Sequence, residues 1–406
     1  MQDVQDELEA PRQIANRGTA AACKAAAHPG HAPARPRRIG LLVNPIAGMG
    51  GRVGLKGTDG AQVLQEARRR GAQPIAGTRT LLALQRLAAT SRPFSLVTAA
   101  GALGEQAVQA AGLRARVVYR PTPGASGPVT TQEAVRAFMR ASVDLVLFAG
   151  GDGTARDVMG AVDPQVPILG VPTGVKMYSA VFGTSPANAG LLAARFVDAH
   201  PTVCLRDAEV MDADEAAIRE DRISVQLFGY ATSLYARALA QNAKSGTRDA
   251  ADVALQAACH QMARSLRPGA LYLFGPGTTT RRVLAALGLP ATLLGVDAVL
   301  DGALVGKDLH EDALLALMQG RETHLVLGVL GGHGTLLGRG NQQLSPQVLR
   351  QVARDHIHVL GSVEKLATLN GASLHVDTGD AELDACLLGY LPVRTGADRS
   401  VLLRVR

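Results

Sequence analysis

The segment LVLFAGGDGT, residues 145–154, constrains the fold more than any other part of this chain. Residues Val143 to Phe148, apart from Asp144, are apolar on both faces, which is typical of a central strand in a parallel sheet. The glycines that follow allow a sharp turn and a close approach of the backbone to a ligand. The pattern predicts that Thr154 to Gly160 is the start of the following helix. The N–H groups and the positive dipole end of such a helix attract anions, so the junction predicts a phosphate site.

A single carboxylate, Asp152, lies among these glycines. A carboxylate repels phosphate, so a loop that only binds anions would not contain one. A loop that must also accept a proton or bind Mg²⁺ does require one. The alternative is that Asp152 satisfies its own turn, as the Asp of an Asp-Gly pair often does. We interpret GGDGT as a phosphate site in which Asp152 has a chemical role, and keep the turn as the alternative.

Strands and helices alternate regularly from Arg38 onward. The predicted strands are 39–43, 94–98, 115–119, 143–148 and 166–171, and the predicted helices are 61–70, 106–111, 131–141 and 187–198. This alternation predicts an α/β fold in which residues 38–200 form a Rossmann-like, doubly wound nucleotide-binding domain. Residues 201–406 are predicted to form a second C-terminal domain, mixed α/β or β-rich. Residues 1–37, rich in Ala, Pro and Arg, are predicted to be a disordered N-terminal extension.

Composition narrows the possible functions. The net charge of +7 comes from scattered basic residues rather than a basic stripe, so nucleic acid is not an expected partner. No apolar run has the length of a membrane span, and the acidic N-terminus is not a secretory signal. The cysteines are far apart and form no C-x-x-C pair, which predicts reduced thiols and a cytoplasmic protein. They are Cys23, Cys204, Cys259 and Cys386.

Several longer strings resemble a known family. GGDGT, with NPIAG upstream, resembles the fold shared by NAD kinases and by diacylglycerol and sphingoid lipid kinases. The strings NPIAGMGGRVGLKGTDG, GVPTGVKMYSAVFGTSP, GPGTTTR, LLGVD and GRGNQQLSP are similar to the predicted ATP- or polyphosphate-dependent NAD kinase family, which includes an acetoin-catabolism protein. The resemblance extends from about Arg38 to the C-terminus. It implies phosphoryl transfer from ATP or polyphosphate to the 2′-hydroxyl of the adenosine ribose of NAD, with Mg²⁺ or another divalent cation accompanying ATP.

The resemblance also implies site residues. Asp152 would contact the dinucleotide and help to deprotonate the ribose hydroxyl, a role in which a positioned base contributes about 10²–10⁴-fold. For Asn44 the alternative role is a cap on the turn before Pro45. For Lys56 and Lys176 the alternative is a solvated position on the surface. The candidate phosphate- and nucleotide-binding residues of the first domain are Asn44, Gly48, Gly50, Gly51, Lys56, Gly150, Gly151, Gly153, Thr154 and Lys176.

The second half contributes further candidates. GPGTTT, which contains Gly275 and Thr278, offers hydroxyl and N–H groups for an anion nest. Asp297 in LLGVD is a candidate for holding Mg²⁺ or a ribose. Turn and cap chemistry is the alternative for each of these. After GRGNQQ, Ser345-Pro346 predicts the start of a helix, because Ser is a good N-cap and Pro suits the first turn.

Two features depart from the family pattern. No Asn-Glu dipeptide is present to hold the adenosine ribose, and GGHGT stands where a Gln and an aromatic residue are expected, so that His333 either binds phosphate or bonds its turn. Three hypotheses follow: an NAD kinase, a kinase for a lipid or another small alcohol, and a non-catalytic nucleotide-binding accessory protein of acetoin catabolism. The expected partners are ATP and NAD without nucleic acid or membrane, and we expect a homo-oligomer.

Overall fold

The strands of the first half of the chain pair into one eight-stranded sheet. The computed structural model describes residues 24–25, 35–55, 60–122, 127–175, 177–213, 225–236, 239, 250–330, 334–369 and 373–406. The strands of this sheet are β1 (Lys24–Ala25), β2 (Arg37–Val43), β3 (Phe94–Ala99), β4 (Ala115–Tyr119), β5 (Leu145–Gly150), β6 (Ile168–Pro172), β7 (Cys204–Ala213) and β8 (Val225–Tyr235). Their spatial order is β1-β7-β8-β6-β5-β2-β3-β4.

The run β4-β3-β2-β5-β6 is parallel and is doubly wound, as the sequence predicts. The chain passes outward from β2 to β4 on one side and then returns to β5 on the other side of β2. The switch point therefore lies between β2 and β5, which are in register from Ile39 opposite Leu145 to Val43 opposite Ala149. Ligands of such sheets bind outside the carboxyl ends of the strands at this point. The loops after β2 and β5 are thus neighbours at the predicted binding edge.

Two apolar cores, one on each face, fix the helices to this sheet. Side chains alternate along a strand, and so Leu41 enters the core that contains Leu84, whereas Leu42 enters the core that contains Phe138. Gly190 allows two helices to touch, since a Cβ there would lie 2.0 Å from the carbonyl oxygen of Ala83. The helices are α1 (Ala61–Arg69), α2 (Ala76–Leu87), α3 (Glu105–Ala110), α4 (Pro128–Arg140), α5 (Asp152–Met159) and α6 (Pro186–Val197), with a 3₁₀ turn at Gly101–Leu103.

The first sheet continues past the predicted domain boundary. Strand β8 runs parallel to β6 and is joined by the antiparallel β7, so the boundary expected after residue 200 falls inside this sheet. The physical reason is that β7 and β8 form a long two-stranded extension whose mixed polar pattern does not resemble the buried strands of the centre. Within the extension expected at 1–37, Lys24 and Ala25 pair with β7, and Arg37 begins β2.

The second half of the chain is a mixed α/β domain with its own nine-stranded sheet, ordered β11-β10-β9-β12-β14-β16-β17-β15-β13. Strands β9, β12, β14 and β16 are parallel neighbours, and this resolves the choice between mixed α/β and β-rich. The strands are β9 (Leu271–Phe274), β10 (Val296–Leu300), β11 (Ala303–Leu309), β12 (Thr323–Gly328), β13 (Thr335–Leu337), β14 (Ile357–Leu360), β15 (Ser373–Val376), β16 (Gly389–Gly396) and β17 (Arg399–Val405). The helices are α7 (Ala250–Arg264), α8 (Thr278–Ala286), α9 (Glu311–Met318), α10 (Pro346–Leu349), α11 (Val363–Ala367) and α12 (Ala381–Leu387), with a 3₁₀ turn at Arg354–His356.

The cysteines differ from expectation at one position. Cys204 is disulfide-bonded, which corrects the prediction that all the cysteines are reduced. Cys259 and Cys386 are free thiols, the first buried and the second exposed, and Cys23 lies outside the described residues. Among the helices that the structure describes, none combines the length and the apolar character needed to cross a membrane.

Candidate active site

The GGDGT segment joins β5 to α5. Gly150 ends the strand, and Gly151 precedes the helix with an extended backbone of φ −117° and ψ −164°. Asp152, Gly153 and Thr154 form the first turn of the helix. Because the residue before the helix is a glycine, it has no side chain to occupy the N–H groups of that turn. This helix end therefore has the chemistry of an anion site.

Three glycine loops meet at this junction. A Cβ on Gly48, whose φ is +80°, would lie 2.1 Å from the carbonyl oxygen of Thr173. A Cβ on Gly174 would lie 2.8 Å from the Cα of Gly151. Both distances are shorter than a real Cβ contact, so only glycine permits these approaches. The loops after β2, β5 and β6 are consequently packed backbone against backbone, as expected for loops that share one edge of the sheet.

Asn44 connects the first loop to the second. Its Nδ2 donates to Thr154 Oγ1 at 3.0 Å, and its backbone N–H donates to the carbonyl of Ala149 at 2.9 Å. Its Oδ1 accepts from the N–H of Ile46 at 3.3 Å, which is the turn cap considered as the alternative for this residue. The structure therefore places Asn44 and Thr154 together at the junction, with their side chains bonded to each other.

The Asp152 carboxylate is buried and bonded to the segment that follows β6. Its Oδ1 accepts from the backbone N–H of Ser179 at 3.0 Å and from the Ser179 hydroxyl at 2.6 Å, and its Oδ2 accepts from the N–H of Tyr178 at 2.6 Å. A carboxylate has about four acceptor positions. Donors among the described residues fill three of them, two on Oδ1 and one on Oδ2. Tyr178 and Ser179 were not among the predicted site residues, although both lie in the string GVPTGVKMYSAVFGTSP.

The surroundings of Asp152 act on its pKa in opposite directions. Burial raises the pKa, while the hydrogen bonds from Ser179 and Tyr178 and the positive charge of Arg339 lower it, and the net direction is upward from the ordinary value of 3.8. A raised pKa brings a carboxylate closer to the pH at which a general base is most effective. The three donors also fix its orientation.

Arg339 brings the second domain to the same site. It lies in the GRGNQQ loop, is buried, and donates from Nη2 to the carbonyl of Met177 at 2.7 Å. Burial lowers the pKa of Arg339 to about 10, against the opposing effect of Asp152, and the side chain stays protonated at neutral pH. Asn341 holds the loop by accepting from the N–H of Gly338 at 2.8 Å and donating to Leu336 at 2.9 Å. The helix predicted at Ser345-Pro346 is confirmed, with Ser345 as its N-cap.

The glycine loop after β2 contacts the second domain directly. Arg52 forms a two-point ion pair with Glu311, with Nε 3.0 Å from Oε2 and Nη2 2.7 Å from Oε1. A Cβ on Gly51 would lie 3.1 Å from the Cβ of Gln342. The carbonyl of Gly50 accepts from the N–H of Leu55 at 2.8 Å and closes the loop on itself. The first predicted loop is therefore shaped by both domains.

A second ion pair joins the domains beside β6. Arg79 donates from Nε to the carbonyl of Pro172 at 2.7 Å and from Nη2 to Asp377 at 2.5 Å. This contact gives the Asp377 carboxylate a structural partner. Both side chains are largely buried, so the pair is shielded from solvent.

The candidates from the second half lie at the ends of strands and a helix of the second domain. Gly275 is buried after β9, where a Cβ would lie 2.7 Å from Leu327 Cδ2, and Thr278 is exposed at the start of α8. Asp297 is buried, and its carboxylate accepts from the N–H and hydroxyl of Thr292 and from the N–H of Asp308, at 2.7–2.9 Å. Lys56, Lys176 and His333 lie outside the described residues.

These features define a class of protein: a doubly wound α/β domain that presents glycine loops and a helix N-terminus for phosphate, with a second domain closing against them. Residues 39–200 match the family described as the ATP-NAD kinase N-terminal domain. This match covers the first domain and supports an ATP-NAD kinase-like, kinase-type phosphotransferase. Searches among curated proteins and among solved structures give no significant match.

Proposed function

We propose that the protein transfers a phosphoryl group from ATP or polyphosphate to the 2′-hydroxyl of the adenosine ribose of NAD, giving NADP. One observation carries this proposal: Asp152 is buried at the first turn of α5, where three glycine loops meet, and its carboxylate is oriented by Tyr178 and Ser179. A loop that only bound phosphate would gain nothing from this charge. A loop that accepts a proton from an attacking hydroxyl requires it.

In the proposed reaction the ribose hydroxyl donates to Asp152 Oδ2. As the hydroxyl oxygen forms its bond to the γ-phosphorus, its proton moves to Oδ2. The bond from phosphorus to the bridging oxygen breaks, and the leaving ADP or shortened polyphosphate takes that electron pair. Ser179 and Tyr178 hold the carboxylate during this step. Gly150, Gly151, Gly153 and Thr154, with the loop of Asn44, Gly48, Gly50 and Gly51, would position the phosphates, and Lys56 and Lys176 are proposed to pair with them.

Magnesium fits this site as a companion of the donor. Mg²⁺ usually binds through substrate phosphates, waters and one or two carboxylates, without a full protein cage. The Asp152 carboxylate accepts three bonds from Ser179 and Tyr178 and must take the proton, and the neighbouring Thr154 hydroxyl is bonded to Asn44. The cation would therefore be held mainly by the donor phosphates, whose charge it neutralises when bound. Roles for Gly275, Thr278 and Asp297 in nucleotide binding, a cytoplasmic location and a homo-oligomer stay predictions.

An assay of acceptor and donor tests the proposal. Full-length protein is incubated with NAD, Mg²⁺ and either ATP or polyphosphate, and NADP is read out with an NADP-specific dehydrogenase. We expect NADP with at least one donor. A parallel incubation with labelled ATP and diacylglycerol or sphingoid lipids tests the other acceptor, and label in lipid without NADP would assign a lipid kinase. Nucleotide binding by calorimetry without product from any donor would assign the accessory role that the absent Asn-Glu pair suggests.

A further inference from the structure

Four residues with metal-binding side chains lie together on the second sheet, at the amino ends of two strands and therefore at the edge opposite the glycine loops. Glu322 precedes β12 and His324 is its second residue, while His356 precedes β14 and His358 is its second residue. The two strands are parallel neighbours, and their register places His324 beside His356. Because side chains alternate between faces, the four residues share one face.

Three of these side chains converge. One ligating atom from each of Glu322, His324 and His356 lies within 4.8 Å of the others. Glu322 Oε1 is 2.8 Å from His324 Nε2 and 3.8 Å from His356 Nε2. Zinc bonds of about 2.0–2.1 Å in tetrahedral geometry place ligand atoms roughly 3.3 Å apart. The spacing of these atoms is thus close to that of a coordination sphere before any ion is added.

The contacts of the His324 ring also suit metal binding. Its Nε2 lies 2.7 Å from Arg267 Nη2 and 2.8 Å from Glu322 Oε1, on the side where the three ligating atoms converge. Its Nδ1 lies 3.0 Å from His358 Nε2. A histidine that ligates a metal through one nitrogen usually donates the other N–H to a neighbour. His358 fills that supporting role here, and Tyr272 stacks on the His324 ring at 4.6 Å between centroids.

Arg267 contacts two of the three ligating atoms. Its guanidinium lies against both Glu322 Oε1 and His324 Nε2, which are 2.8 Å from each other. The Arg267 side chain is 57% exposed and can move into solvent without opening the core. A divalent cation would satisfy the same two acceptors with twice the charge and would add His356 as a third ligand.

We propose that Glu322, His324 and His356 form a binding site for a divalent transition metal, with zinc the metal that best suits the ligand set, and that Arg267 is displaced when the metal binds. Two imidazoles and one carboxylate are a known zinc ligand set that leaves a fourth position for water. Imidazole ligands favour zinc, copper or nickel over magnesium. The site is therefore chemically distinct from the proposed ATP site.

Calorimetric titration of tag-free, chelator-treated full-length protein with ZnCl₂ tests the proposal. We expect binding that weakens by at least about tenfold in His324→Ala and in His356→Ala. The matched control is His260→Ala, an exposed histidine on α7 that bonds to Gln256 and should leave zinc affinity unchanged. Failure of the wild-type protein to bind Zn²⁺, or equal affinity in the wild type and both site variants, would overturn the proposal.

Arg267→Ala gives a test that does not depend on losing a core side chain. Removal of the competing cation should tighten Zn²⁺ binding, whereas a purely structural cluster of hydrogen bonds predicts no gain. Cobalt substitution adds a spectroscopic reading: the visible d–d bands of bound Co²⁺ should appear in the wild type and in Arg267→Ala and should be lost in His324→Ala. Weaker Zn²⁺ binding in Arg267→Ala, or identical Co²⁺ bands in His324→Ala, would contradict the site.

Discussion

Ser179→Ala tests how the protein holds Asp152. The Ser179 hydroxyl is fully buried, donates to Asp152 Oδ1 at 2.6 Å and accepts from the N–H of Met211 at 2.9 Å. A hydrogen bond to a charged group contributes about 1.5–3 kcal/mol, and an N–H that loses its partner adds a further loss of about 1 kcal/mol when it is half-buried. We expect the free energy of unfolding of the first domain to fall by about 2.5–4 kcal/mol.

The loss should depend on pH in a defined direction. Burial raises the pKa of Asp152 above 3.8, so the folded state holds the proton more tightly than the unfolded state, and stability falls as the pH rises through the folded pKa. The Ser179 hydroxyl favours the ionised form, and its removal raises the pKa further. The difference between Ser179→Ala and the wild type should therefore be small below the pKa of Asp152 and grow as the pH rises.

Ser233→Ala is the matched control for this prediction. Ser233 is equally buried, but its hydroxyl donates to the neutral carbonyl of Ile168 at 2.7 Å. Its removal should lower stability by about 1 kcal/mol with no dependence on pH. Urea unfolding followed by circular dichroism across a pH series gives both values, taken from the first-domain transition because two domains need not unfold together. Equal, pH-independent losses in the two variants would refute this description of Asp152.

Two further tests concern the loop contacts. Gly48→Ala would place a Cβ 2.1 Å from the Thr173 carbonyl oxygen. Gly71→Ala is the matched control, because Gly71 has a similar φ (+77° against +80°) and its Cβ would meet open space. In urea unfolding, Gly48→Ala should lose about 1–3 kcal/mol more stability than Gly71→Ala. Arg52→Ala breaks the ion pair with Glu311, and because the Arg52 side chain is 49% exposed, thermal unfolding should show a loss below about 1 kcal/mol. That loss should disappear in about 1 M salt, and persistence there would argue against an electrostatic origin.

The centre of the first sheet was predictable because apolar runs encode it locally. The pattern predicts strands at 39–43 and 143–148, and the structure has Arg37–Val43 and Leu145–Gly150. The second strand extends further than predicted because Gly150 still pairs with Pro172 of β6. Glycine has no strand preference of its own, so its inclusion depends on the neighbouring strand.

Contacts between distant parts of the chain were not predictable in this way. The bond from Arg339 to Met177 joins residues 162 positions apart and exists only because the two domains close on each other. Ser179 was missed because nothing in its local pattern shows that it faces Asp152. Helix α2, Ala76–Leu87, follows a stretch without a strong start signal, since its N-cap residue is Ile75. The sequence around Cys204 likewise gives no indication that this cysteine forms a disulfide.

The turnover of Asp152→Asn tests the central claim most directly. Asparagine keeps the shape of the side chain but cannot accept the proton, so NADP formation should fall at least about 100-fold while calorimetry still detects NAD binding. Asp163→Asn, an exposed position just beyond α5, is the matched control and should keep wild-type turnover. Wild-type turnover in Asp152→Asn would contradict the role of Asp152 as the general base.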